Sequence, residues 1–250
     1  MQIVIIGSGN VAYHLAKAFT QNNIPLKQIY GRNEEALNSI SSELSIPYST
    51  ENLDDADLYI ISVSDQSVGD VSKLIKKKDC LVAHTSGSLP KEALIGDFRK
   101  ASFYPLQTFS KTKSLNYNKI PFFIETENLV DESLLMGLAR DVSQNVMVSN
   151  HEKRRYIHLT AVFACNFVNH LFSRAKEISD GQEIPFDYFL PLIDETVEKI
   201  HHLEPQLAQT GPAVRNDSRV LELHEQLLEG EPLEIFRTMN QSIKKMYQLP

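Results

Sequence analysis

A short apolar run at residues 2–6 (QIVII) leads directly into Gly7-x-Gly9-x-x-Ala12. That juxtaposition constrains the fold more than any other feature of the chain. Glycine spacing of this kind is weak evidence alone. Placed between a buried strand and the amphipathic stretch 13–22, it predicts a strand–turn–helix that cradles a dinucleotide. Gly7 permits the tight turn, Gly9 lets the backbone approach a pyrophosphate, and Ala12 is small enough for close helix–sheet packing. The helix N-terminus offers free N–H groups and a positive dipole end to the phosphates. The alternative is an ordinary strand-turn-helix with no ligand.

The rest of the chain extends this unit. Short apolar runs at 26–30, 57–64, 80–85, 101–104 and 121–125 predict strands, and 34–44 and 67–75 read as helices. Strands alternating with helices predict an α/β fold, a doubly wound parallel sheet of the Rossmann type. After about residue 150 no convincing strand remains. Helices are expected at 153–178, 187–203, 217–229 and 232–247, separated by Gly and Pro. The expected organisation is a cofactor-binding domain over 1–150 and an all-α substrate and dimerisation domain over 151–250.

Charge and cysteine content narrow the function. The 250 residues carry a net charge of −7, and the longest basic block is Lys76-Lys77-Lys78, which argues against nucleic-acid binding. Two cysteines, Cys80 and Cys165, exclude a disulfide framework and a Cys-based zinc site. No metal site is expected. Both thiols sit beside apolar residues and read as free and buried. No apolar run approaches the roughly 20 residues needed to cross a bilayer. With the first strand starting at residue 2, a cytoplasmic protein without a signal peptide is expected.

The second strand refines the cofactor. An NAD site usually has an acid about 20 residues past the glycine loop, bonded to the ribose 2′-hydroxyl. Here Gly31-Arg32-Asn33 stands there. Arg32 can pair with a 2′-phosphate and stack on adenine, so NADP(H) is favoured. Gly7, Ser8, Gly9, Asn10, Val11, Arg32 and Asn33 are the expected cofactor contacts, with Val63, Ser64 and Thr85 at the ends of later strands. His84-Thr85-Ser86-Gly87-Ser88 is dense in small polar groups suited to an amide or carboxylate. A Ser- and Gly-rich turn is the alternative.

GSGNVA, HTSGS, YPLQTFS (104–110), HLTAVFACNFVNHL (158–171) and TGPAVRND (210–217) together resemble a bacterial family of candidate NADP oxidoreductases. Its members join a Rossmann-like domain to a helical C-terminal domain of unknown function. That family is similar to the 6-phosphogluconate and 3-hydroxyacid dehydrogenases, pyrroline-carboxylate reductase and ketopantoate reductase. The resemblance implies a helical domain that completes the active site, often within a homodimer. Where the related dehydrogenases carry a lysine and an asparagine facing the nicotinamide, this chain has no lysine between Tyr156 and Arg174.

At 100° per residue, His158, Val162, Cys165 and Asn169 share one helical stripe, flanked by Asn166. Polar groups among so many apolar neighbours must be paired or functional. His158 is a candidate proton donor. Asn166 and Asn169 are candidate holders of a substrate carbonyl. Ser86 completes the candidate catalytic set, and Ser88, Gln107 and Arg215 the substrate-binding set. Arg215 can clamp a carboxylate, while Asp217 reads as the N-cap of the next helix. The 104–107 segment resembles the His-Pro-Met turn of prephenate dehydrogenases.

Two functions follow. The first is an NADP(H)-dependent oxidoreductase acting on a small polar carbonyl or imine compound, a ketopantoate-like 2-keto acid being the most specific substrate that the resemblance implies. The second is a non-catalytic NADP-binding sensor or interaction protein.

Overall fold

The computed structural model describes residues 1–250 throughout. The chain divides into two compact units, Met1–Asn166 and Phe167–Pro250. The first contains β1 (Ile3–Ile6), α1 (Asn10–Gln21), β2 (Leu26–Tyr30), α2 (Glu34–Leu44), β3 (Tyr48–Ser49), β4 (Leu58–Ile61) and α3 (Val68–Ser72). There follow β5 (Leu81–His84), β6 (Arg99–Pro105), β7 (Phe122–Glu125), α4 (Leu129–Arg140), β8 (Val146–Val148) and α5 (His151–Ala161).

The strands form one sheet in the order β3-β2-β1-β4-β5-β6-β7-β8. All pairs are parallel except β6–β7. All four residues of β1 are buried, because both sheet faces are covered. Ile3 and Ile5 join a core with Leu15, Phe19, Leu37 and Leu135. Val4 and Ile6 join the opposite core with Val68, Leu94 and Phe98. A strand covered on both faces reads as continuous apolar sequence, as this one does. The chain order reverses at β1 and β4, which places a crevice at the carboxyl ends of those strands.

Three elements of the first unit were not legible in the sequence. β3 is two residues long. β8 leaves Met147 and Val148 exposed, so it lacks an apolar signal. In α4 the cap is clear afterwards: Asn128 Oδ1 accepts from the backbone N–H groups of Val130 and Asp131, each at 3.0 Å.

The long helix expected at 153–178 is not one regular helix. It runs as α5, a π-helical segment Val162–Phe167, and α6 (Val168–Asp180). The segment VFACNF is poor in strong helix formers. A wider turn shifts every later residue around the axis, so the stripe drawn from His158 to Asn169 at 100° per residue does not hold. Cys165 lies in this segment and is exposed rather than buried; Cys80 is buried.

The second unit comprises α6, α7 (Leu190–Lys199), α8 (Pro205–Ala208), α9 (Ser218–Glu225) and α10 (Gly230–Met246). Arg174 ties α6 to α10 through Glu231 at 2.6 Å, and Arg237 ties α10 to α9 through Glu225 at 2.7 Å. Within 167–250 only Ser179, Ala213 and Leu221 are buried. No helix of the chain is long and apolar enough to cross a membrane.

Candidate functional site

The site is built on the loops that leave the carboxyl ends of β1, β4 and β5. Gly7 follows β1 with φ +136°, and its N–H donates to the Tyr30 carbonyl at 2.8 Å. A Cβ there would lie 2.2 Å from the Ser62 carbonyl oxygen, so both the dihedral and the close approach to the end of β4 require glycine. Gly9 caps α1 without a side-chain bond, and the first turn of α1 holds no acid. A Cβ on Gly9 would meet nothing within 4 Å. The helix N-terminus thus has space at Gly9 and no acid in its own first turn, as a pyrophosphate requires.

Beside this loop lies a cavity of 320 Å³, bounded by Gly7, Ser8, Arg32, Asn33, Val63 and Ser64 among others. Arg32 is exposed at its rim. Asn33 Oδ1 accepts from the Ala36 N–H at 2.9 Å and so caps α2. Ser64 shares a hydroxyl–hydroxyl bond of 2.9 Å with Ser67. The residues present therefore fit an NADP-type dinucleotide: a bare helix end for the pyrophosphate and an available guanidinium where a 2′-phosphate would sit.

The β5 loop is internally committed. The Ser86 hydroxyl donates to Asp65 Oδ2 at 2.9 Å and accepts from the N–H groups of Ser88 and Leu89, both at 3.0 Å. Its bonds hold the loop together. His84 is fully buried. Its Nδ1 accepts from the Ser86 N–H at 3.2 Å, which leaves the ring proton on Nε2 to donate to the Pro90 carbonyl at 3.2 Å. Burial, then the charge of Arg154, pushes the His84 pKa down to about 4, so the ring stays neutral. The Thr85 N–H donates to the Ile61 carbonyl at 3.1 Å.

α5 closes over this loop. Asn150 Oδ1 caps the helix by accepting from the Lys153 N–H at 2.9 Å. Arg154 is completely buried: it donates to Glu125 on β7 and to the Leu89 carbonyl, and only its Nε lacks a partner. One turn later, His158 stands against Gly87. A Cβ on Gly87 would lie 2.8 Å from the Tyr104 ring and 2.9 Å from His158. His158 Nδ1 is 3.1 Å from the Tyr104 hydroxyl. Burial raises the Tyr104 pKa to about 12, so that hydroxyl keeps its proton throughout the neutral range. His158 and Ser88 line a cleft of 470 Å³ with Glu152, Arg155, Tyr156 and Leu159.

Of the residues expected from sequence, the first unit brings Ser86, Ser88 and His158 to one place and gathers Gly7, Ser8, Arg32, Asn33, Val63 and Ser64 around the cofactor cavity. Asn10 and Val11 open α1; Asn10 Nδ2 donates to the Phe109 carbonyl at 2.9 Å. Gln107 is exposed and folds onto its own turn, accepting from the Thr108 N–H at 2.8 Å. Asn166 is exposed in the π-helical segment. Asn169 and Arg215 belong to the second unit, where both are exposed. Asp217 caps α9, accepting from the Val220 N–H at 3.2 Å. Tyr104 and Arg154 were missed as site residues. An arginine four residues before His158 shares its helix face, and that spacing was the available signal.

Residues 2–86 match the family described as NADP oxidoreductase, coenzyme F420-dependent, and residues 120–243 match a domain of unknown function, DUF2520. No curated protein matches the sequence. Among solved structures, a candidate NADP oxidoreductase from Bacteroides fragilis is 37% identical, with 98% of each chain covered and a TM-score of 0.92. A reductive aminase from Aspergillus terreus, in complex with NADPH and ethyl-5-oxohexanoate, has a TM-score of 0.71 at 11% identity. The match covers 98% of this chain and 94% of that one. A 1-pyrroline-5-carboxylate reductase from Streptococcus pyogenes has a TM-score of 0.63 at 16% identity, with 98% of each covered. The last two show the shared fold. Together with the glycine loop and the free arginine beside it, the identity to the Bacteroides protein shows that this chain belongs to the family of NADP oxidoreductases that join a Rossmann-type domain to a DUF2520 domain.

Proposed function

We propose that this NADP oxidoreductase transfers a hydride between the nicotinamide and a small polar carbonyl or imine compound, and that His158 moves the accompanying proton. A 2-keto acid of the ketopantoate type is the most specific substrate within that class. The observation that carries the reading is the Tyr104–His158 pair, placed at the carboxyl end of the sheet beside a cleft of 470 Å³. When bound, the cofactor supplies the hydride at its nicotinamide C4.

The protein's part is to position groups and move the proton. A protonated His158 ring donates from Nδ1 to the Tyr104 oxygen and offers the Nε2 proton to the substrate oxygen or nitrogen. The neutral ring left behind keeps its Nδ1 proton and still donates to the Tyr104 oxygen, while its bare Nε2 is ready to take a proton back. Tyr104 accepts from Nδ1–H in both states, because its hydroxyl does not ionise near neutrality. Arg154 fixes the helix that carries His158, and Gly87 lets that helix approach. Ser88 supports substrate binding from the cleft wall. In the second unit, Asn169 and Arg215 are proposed to contribute a carbonyl donor and a carboxylate clamp; in the first, Asn166 serves the same end as Asn169.

The protein is also proposed to work as a homodimer in the cytoplasm. The helical unit supports the first point, with Tyr188, Leu192, Leu207 and Leu227 between 65% and 79% exposed. Large apolar side chains left this exposed favour association. The free thiols Cys80 and Cys165 support a reducing compartment.

The test is NADPH oxidation followed at 340 nm against small cyclic imines and 2-keto acids, with NADH in parallel. Turnover with at least one compound, faster with NADPH, is the expected result. Tight NADPH binding with no turnover across both classes would overturn the catalytic reading in favour of a sensor.

A further inference from the structure

Residues 107–116, between β6 and the turn at Tyr117, return across the glycine loop. Asn10 Nδ2 donates to the Phe109 carbonyl at 2.9 Å, and Lys111 Nζ donates to the Ser8 carbonyl at 3.0 Å. A buried post holds the segment there. His14, 1% exposed on α1, lies 2.9 Å through Nε2 from the Ser110 carbonyl and 2.8 Å through Nδ1 from the Tyr117 hydroxyl. Its ring stacks on Phe109 with centroids 5.1 Å apart. Both ring nitrogens are therefore bonded, and the segment is fixed from beneath by a histidine that the hydride chemistry does not use.

Lys111 is the consequential residue of this strap. It is a cation with no carboxylate partner, aimed at the carbonyl between the two glycines of the loop. The Ser8 oxygen engages one of its three donors and the Tyr13 ring lies 5.9 Å from Nζ, a contact that takes up no N–H as a hydrogen bond, so two donors are left for a ligand. Next to it is the N-terminus of α1, which has no acid in its first turn and open space at Gly9. Lys111 lies outside both segments matched by family models, 2–86 and 120–243.

We infer that residues 107–116 form a cofactor strap and that Lys111 contributes a positive charge to the pyrophosphate of the bound dinucleotide, with His14 as the positioning residue beneath. The inference rests on the family's NADP cofactor and adds a contact from outside the glycine loop. It also separates two kinds of recognition. A pyrophosphate contact is common to NADPH and NADH, whereas Arg32 can distinguish them only through the 2′-phosphate.

The experiment is an equilibrium titration of the full chain with NADPH and with NADH, following nicotinamide fluorescence, in wild type, Lys111→Ala, Lys111→Arg and Arg32→Ala. Lys111 is exposed, and equal melting temperatures would establish that the variants are folded. Lys111→Ala is expected to weaken both nucleotides by the same factor, about threefold to tenfold for an exposed charge-assisted contact. Lys111→Arg should bind within about twofold of wild type, since a guanidinium also donates to phosphate. Arg32→Ala should weaken NADPH alone. Unchanged binding in Lys111→Ala, or a loss confined to NADPH, would overturn the assignment. If wild type bound neither nucleotide, the cofactor reading would fall and this inference with it.

Discussion

The two units of the chain differ in where they keep their apolar side chains. In Met1–Asn166, Phe19, Tyr59, Phe103 and Phe122 are almost wholly buried within two cores on either side of the sheet. In Phe167–Pro250, Tyr188, Leu192, Leu207 and Leu227 stand largely in solvent, and ion pairs such as Arg174–Glu231 join the helices. The first unit carries its stability internally. The second leaves many of its apolar side chains exposed. The contrast shows why the first half can hold a precise cofactor loop, since fixed geometry needs a packed core, and it is the ground on which association through the second half is proposed.

Truncating the sheet core should give the largest effect. Phe103→Ala is expected to cost about 3–5 kcal/mol, measured by urea denaturation. Leu192→Ala, measured at low protein concentration, should cost under about 1 kcal/mol. Equal losses in the two would erase the contrast.

The buried arginine sharpens the same point. Arg154→Leu should destabilise by about 3 kcal/mol, because it leaves the Glu125 carboxylate and the Leu89 carbonyl without their donor. A Glu125→Leu/Arg154→Leu double variant should recover part of that loss in the same unfolding experiment. A smaller effect in the single variant than in the double would contradict the role of Arg154 as an anchor.

Acid should act on the first unit through His84. Its folded pKa of about 4 lies below its ordinary value, 6.5. Between those values the unfolded chain binds more protons than the folded one. The contribution is therefore complete above pH 6.5 and is lost as pH falls to about 4. It amounts to about 3 kcal/mol by linkage. Denaturation midpoints between pH 4 and 7 would show this slope, and His84→Gln should flatten it.

In the helical unit a modest effect is expected on the proposed association. Tyr188→Asp should raise the dissociation constant of the homodimer by about tenfold, which is on the order of 1.4 kcal/mol. Sedimentation at a series of concentrations would show it, with little change in the circular dichroism. A monomer at every concentration in wild type would contradict the proposed assembly.

Much of the first unit could be read from residues. The glycine loop and its flanking strand are adjacent in sequence, and Arg32 stands at the end of the next strand, at the offset where such a loop leads one to look. Tyr104 and His158 are 54 residues apart, and only the packing of α5 against Gly87 brings them together. The sequence offered His158 through its polarity but no reason to pair it with a tyrosine. Asn169 was assigned to the His158 face on the assumption of a regular helix, and the π-helical segment Val162–Phe167 removes that assumption. Lys111 was equally invisible, because its significance depends on where a strap crosses a loop 103 residues earlier. Ser86 shows the reverse limit: its residue type suits catalysis, while its bonds to Asp65, Ser88 and Leu89 serve the loop.

The most direct test of the hydride-transfer reading separates binding from turnover at His158. NADPH affinity and kcat would be measured together for wild type and His158→Ala, with the best substrate from the carbonyl and imine screen. The expected result is a kcat lower by about a hundredfold to ten-thousandfold, with NADPH affinity unchanged. Unaltered turnover in the variant would contradict the assignment of His158 as the group that moves the proton.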